Sequence, residues 1–87
     1  MIKLASLRVS APDEVILVFT DGTAGTWSAH GILARDTILT RPLTDPAYFA
    51  RAFIEGGALA WPNGLEFSPA ALHAELDRAG LLRREAA

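Results

Sequence analysis

Apolar and polar positions alternate with a period of two through most of the first third of the chain. Leu7 and Val9 flank Arg8 and predict a strand ending near Ala11-Pro12-Asp13. Val15, Leu17 and Phe19 alternate with Ile16 and Val18. Both sets are apolar, so this strand is expected to lie inside its sheet, covered on both faces. Asp21-Gly22 predicts a hairpin turn, because both residues tolerate positive φ. The returning strand, Thr23 to Ser28, carries Trp27 and is short and polar enough to form an edge. Gly22-Thr23-Ala24-Gly25 reads as part of the turn; it lacks the Lys-Ser/Thr ending of a phosphate loop and opens no helix.

The period is lost over residues 29–43, where Ile32-Leu33 and Ile38-Leu39 could anchor a helical turn or an irregular connection. It returns at Asp45-Pro46, an N-cap followed by proline at the first helical position. A short helix follows, with Phe49 and Phe53 one turn apart and Tyr48 beside them. Ala52 and Ile54 then alternate into a strand, Gly56-Gly57 supplies a two-residue turn, and Leu59 and Trp61 alternate out. Trp61-Pro62-Asn63-Gly64 sets the next turn, and Ser68-Pro69 repeats the cap-plus-proline start. Leu72, Leu76 and Ala79 form the predicted buried stripe of a second helix, closed by Gly80 as a left-handed cap. Leu81-Leu82 can fold back on the core, and residues 83–87 are expected to fray. The fold class predicted is one α+β domain spanning 1–87: a β-meander of three strands, a short helix, a two-stranded hairpin and a C-terminal helix. Helices are expected on one sheet face, with self-association covering part of the other.

Composition narrows the function. The hydrophobic fraction is 51%, but sixteen of those residues are alanine, so the core must be built from few large side chains. A chain of 87 residues buries roughly 60–65% of its unfolded surface, which leaves modest stability and makes pairing with a second chain useful. Eight Lys plus Arg oppose ten Asp plus Glu, for a formal charge of −2. That balance argues against direct nucleic-acid binding, whose footprint is a basic face. With no cysteine, disulfides and thiolate metal sites are excluded. The start of the chain does not resemble a signal peptide and no apolar run approaches the ~20 residues of a membrane helix, so no membrane association and a cytoplasmic location are expected.

Few residues suggest chemistry. Trp61-Pro62-Asn63-Gly64 could form a ligand ledge with Asn63 offering a bidentate amide, although alternation with Leu59 points Trp61 inward. With Glu66 and His73, Trp61 and Asn63 complete the candidate binding set. His73 and Asp77 stand at i and i+4, where a surface charge pair is expected rather than a metal site, which needs three or more ligands. Ser28, His30 and Asp36 are close in sequence, but a triad is assembled by the fold and no nucleophile elbow is present. No catalytic residue, metal or cofactor is expected.

Val15-x-Leu17-x-Phe19-x-Asp21-Gly22, Leu43-x-Asp45-x-x-x-Phe49, and the block from Ile54 through Trp61-Pro62-Asn63-Gly64 to Glu66-Phe67-Ser68-Pro69-x-x-Leu72-His73 together resemble the bacterial domain of unknown function 2442. The resemblance covers roughly residues 4 to 74. Ser68 and His73 depart from it, since relatives often carry an acidic residue and a tyrosine there. It implies a small α+β fold and a bacterial origin, with no established activity. Some relatives precede a helix-turn-helix domain, and others are encoded in pairs resembling toxin–antitoxin modules. The expectation is therefore a non-enzymatic protein-interaction or regulatory module, of an antitoxin-like kind, that binds a companion protein or itself as a dimer. The alternatives are a regulator acting on nucleic acid through a partner, and a ligand sensor or small enzyme with its pocket near Trp61.

Overall fold

The computed structural model of the chain describes residues 1–85. The fold is α+β, as the alternation predicts, with two antiparallel sheets among the described residues. The first sheet is built on the meander β1 (Leu4–Ala11), β2 (Glu14–Phe19) and β3 (Thr23–Ser28), with β2 in the middle. The second holds β4 (Phe53–Glu55), β5 (Ala58–Ala60) and β6 (Glu66–Phe67). Between them lie the one-turn helix α1 (His30–Leu33), a 3₁₀ turn (Arg41–Thr44) and the one-turn helix α2 (Pro46–Phe49). Helix α3 (Pro69–Arg78) follows, and β7 (Arg83–Arg84) returns to the first sheet.

Local signals account for most of the boundaries. Asp45 accepts from the Ala47 N–H (3.0 Å) and Ser68 from the Ala71 N–H (3.3 Å), so both predicted caps are in place. Gly56 and Gly57 both have positive φ and close β4–β5 with Glu55 opposite Ala58. Gly80, at φ +72°, ends α3 in a Schellman arrangement: Leu81 N–H donates to Leu76 C=O (2.9 Å) and Gly80 N–H to Asp77 C=O (3.0 Å).

The core lies between the sheets. Val15, Leu17 and Phe19 on β2 face α3, where Leu72 and Leu76 are buried. Trp61 is 1% exposed; its indole N–H donates to the Phe49 carbonyl (3.0 Å), and its ring packs against Phe49, Trp27 and Phe67. Leu4 N–H donates to Gly57 C=O (2.8 Å), which ties the edge of the first sheet to the turn of the second.

Several expectations are corrected. The hairpin between β2 and β3 has three loop residues, Thr20 to Gly22, closed by Gly22 N–H to Phe19 C=O (3.0 Å); only Gly22 has positive φ, because the Asp21 carboxylate instead braces the turn by accepting from Thr23. Gly25 lies inside β3, opposite Leu17, and not in the turn. Ile16 and Val18 are half-buried, flanked by Arg8 and Thr26 and by Ser6 and Ala24 on neighbouring strands, and are not covered as the two-faced pattern suggests. Strand β3 is covered on its outer side at Thr23 and Ala24 and keeps the expected edge over residues 25–28, and Arg83-Arg84 do not fray: they pair with Ala24 and Thr23, because the Gly80 cap turns the chain back along β3. Glu85 is held as well, its N–H donating to Gly22 C=O (2.8 Å), and Ala86 and Ala87, the last two residues of that expected tail, lie outside the described residues. The predicted hairpin is a three-stranded sheet, since Leu59 and Ala60 also pair with Phe67 and Glu66. Phe53 begins β4 and is 38% exposed instead of sharing a helix face with Phe49, and Ala79 is an exposed cap.

Candidate functional site

The four residues selected from the sequence do not converge on one site. Trp61 is core. Asn63 is a latch: its side-chain amide donates to the Leu39 carbonyl (3.0 Å), its side-chain oxygen accepts from Leu65 N–H (3.2 Å), and its backbone N–H donates to the Tyr48 hydroxyl (2.9 Å). With both ends of the amide engaged, it no longer offers the bidentate ledge read from the turn. Glu66 is exposed on β6. His73 pairs with Asp21 on the β2–β3 turn (Nε2 to Oδ2, 2.9 Å) and stands edge-on to Phe19, centroids 5.0 Å apart. The expected His73–Asp77 pair is not the one formed; tertiary packing brings α3 against the turn.

Asp21 is the described group whose titration is clearly displaced. The Thr23 hydroxyl and then the Thr23 N–H hydrogen-bond its carboxylate and lower its pKa from 3.8 to about 2; slight desolvation opposes them, and His73 adds a smaller downward pull. The cluster braces a turn. Ser28 and His30 meet only as a hydroxyl accepting a backbone N–H (3.2 Å), and Asp36 bonds Arg41, so no triad forms from them. Among the described residues, no group of three or more metal-ligating side chains converges.

Two surface features remain, the first lying in the stretch the sequence left unassigned and the second drawing part of its lining from it. The first is the loop from Asp36 to Leu39. Thr37 and Thr40 exchange hydrogen bonds reciprocally, side chain to backbone, at 2.9 and 3.1 Å. Arg41 Nε donates to the Asp36 carboxylate (2.8 Å), and Asn63 holds the Leu39 carbonyl. Asp36 carries a positive φ of 50°, a conformation Asp accepts better than most residues. So braced, the loop leaves Ile38 82% and Leu39 45% exposed.

The second is a cleft of about 310 Å³ between α1, β3, β6 and α3. Trp27, Phe67, Ile32 and Leu72 form its apolar wall, with the Trp27 and Phe67 rings 5.3 Å apart. Trp27 N–H donates to Glu75 Oε2 (3.1 Å), which orients that carboxylate. Arg35 lines the same cleft. The ion pairs among the described residues are Arg41–Asp36, His73–Asp21 and Arg83–Glu85, so Arg35 and Glu75 face one space without neutralising each other. Gly31 also borders it, and a Cβ there would meet nothing within 4 Å.

Sequence reasoning missed Trp27, Arg35 and Glu75. Glu75 was detectable in part: Ala71 and Glu75 flank the Leu72–Leu76 stripe at helical spacing and so sit at the border of the buried face. Arg35 gave no periodic signal.

No family model, curated protein or solved structure matches this chain. No helix among the described residues is long and apolar enough to cross a membrane.

Proposed function

We propose that the protein is an interaction or regulatory module that engages a companion protein through the Ile38–Leu39 loop. The observation carrying this reading is an isoleucine 82% exposed on a backbone that is held by hydrogen bonds on both sides. Fixing each residue costs roughly 1–2 kcal/mol of backbone entropy. Here the ordering presents two aliphatic side chains to solvent where it could have buried them. A preordered apolar tip loses little further freedom on docking, which favours affinity. A small antitoxin-like companion of the kind implied by the resemblance to domain 2442 suits such a tip, and membership of that family is part of the proposal.

The test is affinity purification of the tagged protein at native expression, wild type beside Ile38→Asp. A stoichiometric companion retained by the wild type and lost by the variant, with melting temperature unchanged, is the expected result. Equal recovery by both, or none by either, would refute the reading. A dimer of the chain itself would be recognised by the same variant in sedimentation.

A further inference from the structure

We propose that the Trp27 cleft is a binding site for a small zwitterion, an amino acid with an apolar side chain. The inference is independent of the loop and its companion.

Three properties of the cleft argue for this class of ligand. Its volume of about 310 Å³ lies at the lower end of the ~300–1,000 Å³ range of small-ligand sites, which suits a compact molecule better than a folded segment. Its wall of Ile32, Phe67 and Leu72 accepts an apolar body. Its charges are one guanidinium and one carboxylate, not joined to each other.

Each charged group has bonding capacity left over. Glu75 accepts from Trp27 through Oε2, and Oε1 is available to a ligand ammonium. The indole N–H also fixes the carboxylate, so less freedom is lost on binding. Arg35 lines the cleft and is in none of the ion pairs of the described residues, and its guanidinium carries a donor fork that matches a carboxylate. The Ser28 hydroxyl accepts from His30 N–H, which leaves its own proton to donate to the same anion. A ligand with a single charge would satisfy one wall of the cleft and leave the other facing an unmatched group. A zwitterion satisfies both.

The chain has two tryptophans, so the indole region of a ¹H–¹⁵N spectrum holds two signals, and one of them reports the Trp27–Glu75 bond. The probes are L-phenylalanine and L-leucine, with 3-phenylpropanoate lacking the ammonium and phenethylamine lacking the carboxylate. The amino acids are expected to move the Trp27 signal saturably while the Trp61 signal, buried on the Phe49 carbonyl, stays put. Arg35→Gln and Glu75→Gln should each weaken binding on the order of tenfold. Glu75→Gln keeps an acceptor for Trp27, so its loss would reflect charge and not folding. Gly31→Phe adds a ring at the border of the cleft from a Cβ that meets nothing within 4 Å, and should weaken binding while the fold is kept.

If the single-charge compounds bind in the cleft as tightly as the amino acids, the site stands and the zwitterion assignment falls. If no probe gives a saturable shift into the millimolar range, the site itself falls. Neither result bears on the Ile38→Asp experiment, so the two proposals fail separately.

Discussion

Gly25 and Gly31 receive the same substitution with opposite expected signs. Gly25 lies in β3 beneath the end of α3, and its φ is not in the left-handed region, so a methyl group there meets only a steric objection. An added Cβ would stand 2.9 Å from the Leu81 carbonyl oxygen and 3.2 Å from Leu76 Cδ1. Ordinary contacts begin near ~3.5 Å, so the carbonyl must retreat by roughly half an ångström. It is not free to do so: Leu81 N–H is bonded to Leu76, and Arg83-Arg84 pair with β3 just beyond. Overpacking of this kind costs about 1–3 kcal/mol, against a gain of about 0.4–1 kcal/mol from a stiffer unfolded chain. The net for Gly25→Ala is a loss of about 1–2 kcal/mol, or about 5–15 °C in melting temperature for a chain of this size. Gly31 lies in α1 with nothing within 4 Å of its would-be Cβ, so Gly31→Ala should leave stability unchanged or raise it by up to about 1 kcal/mol. Thermal and urea unfolding followed by circular dichroism would measure both. A Gly25→Ala protein melting at or above the wild type would refute the close approach of α3 to β3.

Two further perturbations test the braces around the fold. Asp21 has a lowered pKa, so its contribution is complete above its unfolded value of 3.8 and disappears as pH falls through about 2. Asp21→Asn should therefore be less stable than the wild type above that window, with the gap closing toward pH 2; a gap that does not change with pH in unfolding midpoints would show that the Thr23 bonds contribute nothing through ionisation. Asn63→Ala removes the bonds to Leu39 and Leu65 and should cost about 1 kcal/mol. Amide exchange should quicken at Arg41 and its neighbours in the 36–41 loop, and unaltered exchange would mean that Thr37, Thr40 and Arg41 hold the loop without the latch.

The features legible in the sequence are those whose cause lies within a few residues. A side chain that caps the N–H two or three positions on, as Asp45 and Ser68 do, needs no distant partner. The same holds for Gly56 and Gly80, where only backbone conformation is at stake, whereas Gly57 also lies so close to Lys3 that a Cβ there would stand 2.8 Å from the Lys3 Cβ. Alternation told that Trp61 goes inward, because a strand repeats every two residues whatever it packs against, but with both sets of positions apolar it did not tell which face of β2 is buried. Tertiary structure decided everything that depends on which elements meet. His73 could pair with Asp77 one turn away or with any acid the fold delivered, and packing of α3 on the hairpin delivered Asp21. Gly25 and Arg83-Arg84 took their roles from the return of the chain along β3. The cleft joins Trp27, Arg35 and Glu75 across a separation of 48 residues in sequence, and its chemistry exists only because α1 and α3 close on the same end of one strand. Local propensity carries no information about such a meeting, because the free energy that enforces it comes from burial shared among distant segments.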